Sequence, residues 1–229
     1  MLILALDTSG DSLSVSILEQ EKIIGKIYIN NNNFHSEKIL ACTQKIIQEI
    51  KINIKNIDLF AVCNGPGSFT GIRIGISFVK GMAFMLEKPC IGISSLFALA
   101  YPFMYLKKDE IIYSCLYANK DEIYFNSYIY DKISEKICSN NSDSFIKIDE
   151  LIENAKNEKK RIIFVGNMAE VCYNKTMLVC PDALHKFYNK NVDSDYVGQA
   201  AYYKYLKNKD LDKEEIKANY LKRSRAEKI

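Results

Sequence analysis

Histidine is almost missing from this 229-residue chain, which has only His35 and His185. A histidine-based metal site wants several such ligands at fixed spacing, for example a pair four apart on one helix, and position 39 is Ile. A hydrolytic set drawn from Ser68, His35 and Asp7 has no better footing, because no Gly-x-Ser-x-Gly turn accompanies it. No Cys-x-x-Cys pair occurs among the seven cysteines, an odd number, and most of them stand beside Ile, Val, Leu or Ala. They read as small core residues in a reducing compartment. An excess of one charge is lacking as well, with 31 Lys plus Arg against 28 Asp plus Glu. That balance excludes a stand-alone nucleic-acid binder, so any RNA role would be shared with a partner. The one local bias, Lys222, Arg223, Arg225 and Lys228 around Glu227, reads as a solvated tail.

Long apolar runs are also missing. The opening stretch Met1 to Leu6 meets Asp7 at once and has no basic segment before it, which is no signal peptide. The longest apolar helix candidate, 72–86, is broken by Arg73, Ser77, Lys80 and Gly81, too short and too interrupted to span a bilayer. The expectation is a cytoplasmic protein. Glycine is scarce in the second half, where Gly166 and Gly198 are the only ones, so no Gly-rich adenosine-binding segment is found there.

What is present is the make-up of a globular chain, 48% hydrophobic and 26% charged. Residues 2–6 predict a buried strand and Asp7 to Asp11 a turn. Leu13, Val15 and Ile17 alternate with Ser12, Ser14 and Ser16, which predicts a half-exposed strand. Ile23 to Ile29 adds a third strand and the Asn run after it a loop. An amphipathic helix follows over 36–51 and a short strand over 58–63. Then come a Gly-rich loop, a helix over about 71–86, a strand at Ile91 to Ile93, and a helix capped by Ser94 or Ser95 and ended near Pro102. Beyond Lys107-Lys108-Asp109-Glu110, which marks a boundary between lobes, Ile111 to Tyr117 and Ile123 to Tyr130 pair as a hairpin. A short strand, a helix over 149–155, a strand over 162–165 and a helix over about 195–207 complete a half that loosely echoes the first.

Two loops could carry chemistry. Asp7-Thr8-Ser9 offers a carboxylate and two hydroxyls that can wrap phosphates and a metal ion, or is a plain hairpin turn. Gly65-Pro-Gly-Ser-Phe-Thr-Gly71 can present N–H groups to an anion at the positive end of the helix it opens, or is a tight connection capped by Thr70. It lacks the Lys of a P-loop. The helix after it is apolar nearly all round and must be covered on both sides, with Gly71 and Gly75 permitting close approach of a neighbour. A partner chain is the expected cover.

Ile3-Leu-Ala-Leu-Asp-Thr-Ser9, His35-Ser-Glu37, Gly65-Pro-Gly-Ser-Phe-Thr-Gly-Ile-Arg-Ile-Gly75 and Gly92-Ile-Ser-Ser-Leu96 stand in an order and spacing that resemble the TsaB family of tRNA threonylcarbamoyladenosine biosynthesis proteins. The likeness is dense over roughly the first hundred residues and thin thereafter. It implies an α/β chain of the two-lobed actin/Hsp70-like ATPase (ribonuclease H-like) fold, with mixed sheets flanked by helices. The lobes would be 1–105 and 106–229, the last helix packing back on the first lobe. It further implies a non-catalytic subunit, with no metal or cofactor of its own, for threonylcarbamoyl transfer to the adenosine next to the anticodon of tRNA. The implied partners are a TsaD-like catalytic paralogue, a TsaE-like ATPase on the assembled complex and tRNA through the complex, with a homodimer when alone and no membrane.

In that family the partner contact is made by two N-terminal helices. The expected contact residues here are Ile39, Thr43, Ile46, Ile72, Gly75, Ile76 and Val79. A vestigial nucleotide site would use Asp7, Thr8, Ser9, Gly65, Gly67 and Ser68. The alternative is an ATP-dependent phosphotransferase of the same fold, working with Asp7 and the Gly65–Gly71 loop. Two departures fall in the second half: Tyr117-Ala118-Asn119 stands where the family often has Asp-Ala-Arg, and Ala218-Asn-Tyr-Leu-Lys222 where it usually has Pro-x-Tyr-Leu-Arg.

Overall fold

The computed structural model describes residues 1–30, 35–103, 110–131, 136–183, 185–207 and 215–222, with backbone alone at 35, 36 and 136. The loop after Asn30, the Lys107 to Asp109 run, the side chains of His35 and Ser36, and Arg223, Arg225, Glu227 and Lys228 lie outside the described residues. In chain order the elements begin with β1 (Leu2–Asp7), β2 (Ser12–Glu19), β3 (Lys22–Asn30), α1 (His35–Glu49), β4 (Leu59–Gly65), α2 (Phe69–Leu86), β5 (Cys90–Ser94) and α3 (Ser95–Ala100). They continue with β6 (Glu110–Asn119), β7 (Glu122–Asp131), β8 (Lys136–Ser139), β9 (Ser144–Lys147), α4 (Ile148–Asn157), β10 (Arg161–Val165), α5 (Ala169–Met177), β11 (Lys186–Tyr188) and α6 (Ser194–Lys207).

By its internal contacts the chain forms two units: Met1–Ala98 with Val192–Tyr220, and Leu99–Asn191 with Leu221–Ile229. The division falls at Ala98 rather than near residue 105, and the second unit is not continuous to the C-terminus, because α6 and the segment after it belong to the first. Each unit holds one mixed sheet, in the order β3-β2-β1-β4-β5 and β11-β10-β6-β7-β8. The plan is the same in both. The first strand of each unit, β1 or β6, pairs antiparallel with the next strand and parallel with the strand that follows a helix. The sequence echo between the halves is therefore a shared topology, carried by strand order rather than by matching residues.

In the first unit alternate strand residues face opposite ways. Leu4, Leu6, Val15, Ile17, Phe60 and Val62 form one core with Ile39, Cys42 and Ile46 of α1 and Val79 and Ala83 of α2. The other face carries Ser12, Ser14 and Ser16, and here the expected half-exposed strand is corrected, for β2 is buried at every position but its last. The serines are polar without being solvated. Ser14 Oγ accepts from Ser194 N at 2.9 Å, and Ser16 Oγ meets Ser194 Oγ at 2.6 Å, so the start of α6 satisfies these two. A buried hydroxyl without such a partner would cost on the order of 1–3 kcal/mol. Lys26 Nζ reaches over from β3 to Asp193 and, at 3.0 Å, to Asp195 Oδ2, pinning the same helix end.

α2 runs the full eighteen residues from Phe69 and is, by length and composition alone, apolar enough to cross a membrane, a longer span than expected. Its Gly71, Ile72, Gly75, Val79 and Ala83 side is buried on the sheet. Its N-cap is Ser68, whose Oγ accepts from Gly71 N, in place of Thr70.

The second unit packs α4 and α5 through Ile148, Leu151, Ala155, Ala169 and Cys172 onto Ile111, Tyr113, Cys115, Ile123, Ile162 and Phe164. Tyr113 stands edge-on to Phe125 at 5.0 Å and to Phe164 at 5.7 Å. The sequence reading has neither α5 nor β11.

Because the space between α6 and the sheet is that of a glycine, a side chain at Gly198 would run into Leu18 Cδ1 and stand 3.1 Å from Ala5 Cβ. Gly198→Val is expected to destabilise the chain by about 1–3 kcal/mol through overpacking. Urea unfolding followed by circular dichroism measures it.

Candidate functional site

The two loops singled out in the sequence meet, and they are sewn to each other. β1 delivers Asp7, Thr8 and Ser9 to the point where β4 ends and α2 begins. Ser68 N donates to Ser9 O at 2.7 Å, and Thr8 Oγ1 donates to Gly71 O at 2.7 Å. The glycines make the seam possible. A Cβ at Gly67 would run into the carbonyl oxygen of Ser9, one at Gly71 into that of Thr8, and one at Gly75 would lie 2.5 Å from Thr8 Oγ1 and 3.1 Å from Val62 Cγ2. Gly65 holds a φ of 100°, open to glycine and strained for other residues.

Asp7 is wholly buried. Its Oδ1 accepts from Ser9 N at 3.0 Å and Ser9 Oγ at 2.6 Å, and its Oδ2 is buried with no hydrogen-bond partner. Burial raises its pKa, the Ser9 bonds oppose the rise, and the negative charge of Asp193 adds to it. Beside it, burial pushes the Cys63 thiol up to about 12. Cys63 Sγ touches Ser95 Oγ at 3.0 Å, and Ser95 Oγ in turn donates to Pro66 O at 2.7 Å. The thiol is a core group, far from the ionised form that reacts.

The six residues expected to cradle a nucleotide are therefore brought together, but their polar groups are turned on one another. Asp7, Thr8, Ser9 and Gly65 are buried, Gly67 is half-buried, and Ser68 alone is exposed. A phosphate would need the very N–H and hydroxyl that serve Ser9 O and Gly71 O. The phosphotransferase alternative needs an Asp7 that substrate can reach, and the carboxyl has no exposed surface. That alternative is set aside.

The expected contact residues need correction too. Ile39, Thr43, Ile46, Ile72, Gly75 and Val79 are buried against the chain's own sheet, and of the seven only Ile76 is partly exposed. Gly71 and Gly75 admit the chain's own first turn, whereas a side chain at Gly81 would stand in open space. What the two helices turn outward is Leu40 at 50% exposure, Phe84 at 87% and Met85 at 66%, beside Ser77, Lys80 and Gly81. The sequence signal was the apolar circumference itself, which does not say which arc faces in.

The departures near the end find a place. Tyr220 stacks on Phe69 at 4.6 Å between centroids, and Arg73 lies 3.7 Å over the Phe69 ring with its Nε donating to Tyr220 Oη at 2.8 Å. Asn219 N donates to Asn64 O at 2.8 Å, and Asn64 Nδ2 to Lys217 O at 2.9 Å. The segment thus lies along the start of α2. In the hairpin, Asn119 takes a turn role, donating to Glu122 Oε2 at 3.1 Å. No three His, Cys, Asp or Glu side chains stand where they could hold a metal ion, among the described residues.

Comparison with known proteins agrees with this architecture. A glucomannokinase from Arthrobacter sp. strain KM superposes with a TM-score of 0.52 at 9% identity, over 90% of this chain and 99% of its own, and YeaZ from Pseudomonas aeruginosa with 0.75 at 22%, over 91% and 93%. The two mixed sheets are those of the actin-like ATPase and sugar-kinase class of fold. Residues 22–227 match the family described as TsaD: tRNA N6-adenosine threonylcarbamoyltransferase. The tRNA threonylcarbamoyladenosine biosynthesis protein TsaB of Buchnera aphidicola subsp. Schizaphis graminum is 32% identical over 170 residues, 72% of this chain and 78% of that one. The chain belongs to this family, on its TsaB branch, and with it to tRNA threonylcarbamoyladenosine biosynthesis.

Two outcomes follow from the sewn loops. A carboxyl whose pKa is raised by folding contributes stability below its unfolded value, near 4, and loses it as pH rises through the folded value. Asp7→Asn should therefore melt above the parent at pH 7.5, with the gap narrowing toward pH 4, in a series of thermal scans. Calorimetry with ATP and magnesium should give no binding heat at this turn.

Proposed function

We propose that the chain is a non-catalytic subunit that docks on a TsaD-like catalytic paralogue through the outer faces of α1 and α2. The paralogue then performs threonylcarbamoyl transfer to the tRNA adenosine next to the anticodon. The observation that carries the reading is the set of apolar side chains that the two helices leave in solvent, Leu40 on α1 and Phe84 and Met85 on α2. Fully burying one such side chain contributes about 1.5–3 kcal/mol, so three of them form an anchor of the strength that interface centres use. On α2 the exposed small residues Ser77 and Gly81, two turns and one turn before Phe84, keep that arc of the helix low, which suits a helix packing across it at about 8–10 Å.

The non-catalytic half of the reading is supported by the closed state of the loops. Asp7 is out of reach, and Ile at position 39 leaves His35 without a helical companion for a metal. A TsaE-like ATPase would act on the assembled pair, and tRNA would be met by the complex. With no paralogue present the same side chains suit a second copy of the chain in a two-fold homodimer.

Phe84→Glu is the direct test. The residue is exposed, so the variant should keep its circular dichroism and melting point, while affinity for the paralogue falls at least 100-fold and tRNA modification in the reconstituted system is lost. Undiminished pairing would refute the docking face. A charge at Gly75, by contrast, should unfold the chain, because that position faces Thr8 and Val62.

A further inference from the structure

Besides Phe84 and Met85, the outward arc of α2 exposes Arg73, Ser77, Lys80 and Gly81. At about 100° and 1.5 Å per residue, Arg73 and Phe84 point within about 20° of one another and lie about 16 Å apart along the helix axis. A footprint of ordinary size, about 800 Å² or roughly 30 Å across, laid along this arc takes in both. Whatever shelters the Phe84 ring in that way therefore also takes water away from a guanidinium.

That guanidinium is already held in place. It lies 3.7 Å over the Phe69 ring, its Nε donates to Tyr220 Oη at 2.8 Å, and Tyr220 in turn stacks on Phe69 at 4.6 Å. One bond at the base of the fork leaves the four N–H groups on the two terminal nitrogens. Among the described residues none of these four has an acceptor, and no carboxylate pairs with Arg73. Lys80, the other cation on the arc, has Glu215 at 3.7 Å. α2 itself contains no Asp or Glu, so the positive end of its dipole lacks a negative neighbour as well.

A guanidinium covered by a partner and left with unpaired donors opposes docking, because a charge taken out of water without a counter-charge is strongly unfavourable. A carboxylate removes that penalty, and its two oxygens match the paired N–H groups of the fork. We propose that Arg73 is the charged contact of the docking face and receives an Asp or Glu side chain of the paralogue, with Tyr220 and Phe69 as the residues that position it. The inference rests on the docking reading of α1 and α2, and it adds the chemistry that must stand opposite: an apolar pocket for Phe84 and, three turns away, a carboxylate. An RNA phosphate would also fit the fork, but Arg73 shares its arc with Phe84, which a protein surface buries and a phosphate backbone does not.

The test measures pairing of the full chain with the paralogue, without RNA, by titration calorimetry over a range of salt. Arg73→Gln should weaken pairing at least about 30-fold and flatten its salt dependence, with circular dichroism as in the parent because the side chain is exposed. Arg73→Lys, which keeps the charge and loses the fork, should fall between the two. Tyr220→Phe should weaken pairing about 2- to 10-fold, the loss of one hydrogen bond, and should change nothing further in an Arg73→Gln background. Double-mutant cycles find the carboxylate: one Asp or Glu→Ala variant of the paralogue should lose its effect when combined with Arg73→Gln. Parent-like pairing of a folded Arg73→Gln, additivity with every acidic position of the paralogue, or a loss confined to tRNA binding by the assembled pair would each overturn the proposal. Phe84→Glu reads the docking face separately. Lost pairing there with parent-like pairing of Arg73→Gln sinks the charged contact alone, and parent-like pairing of both sinks the two together.

Discussion

Two hydrogen bonds, from Ser68 N to Ser9 O and from Thr8 Oγ1 to Gly71 O, hold the start of α2 against the end of β1. They close only because no side chain stands at positions 67, 71 and 75. From that seam the rest of the first unit takes its bearings. It sets the depth at which α2 lies on β4, hence which arc of an almost wholly apolar helix is inside. It also sinks Asp7 below the surface, where a charged carboxylate is disfavoured. The Ser68 N–H that could have met a phosphate is given instead to the carbonyl of Ser9.

Much of the architecture was legible in the residues. A continuous apolar run marked β1, alternation marked β2, a further apolar stretch marked β3, and the 3.6-residue period marked α1. The Gly-rich loop marked the opening of α2, and two β-rich runs about a short turn marked the β6–β7 hairpin. The failures have a common cause, which is that sequence reports polarity and spacing but not the neighbour. Ser12, Ser14 and Ser16 have the pattern of a solvated face, but the arrival of Ser194 from far along the chain gives Ser14 and Ser16 their partners in a buried one. Gly71 and Gly75 do mark a close approach, but the approaching group is Thr8 of the same chain. α5 has Asn, Lys and Thr in its last turns and no clear apolar stripe, and β11 is three residues long, below what alternation can register.

The motifs pointed to segments that do meet, and the burial of their side chains was misread. The same loop and the same two helices that the motifs single out are the ones the structure brings together, but the residues expected to face outward are the packed ones. Leu40, Phe84 and Met85, which carry no motif, are the side chains left in water. That division is physically sensible, since residues that set the loop seam are fixed by backbone clearance, while an outer surface needs only the right apolar area. The tRNA-modification role thus attaches to a fold whose two sheets still follow one plan, although only the first retains the glycine-rich joint.

The return of α6 to the first sheet carries a consequence for synthesis on the ribosome. The face of β1 and β2 that holds Ala5, Ser14 and Ser16 is covered by residues made after the whole of β6 to β11 has been translated. The amino-terminal unit therefore cannot close co-translationally when its own strands emerge. It must wait with one side of its sheet uncovered until α6 leaves the exit tunnel, and a nascent chain stalled before residue 194 would present that side to whatever chaperone stands nearest.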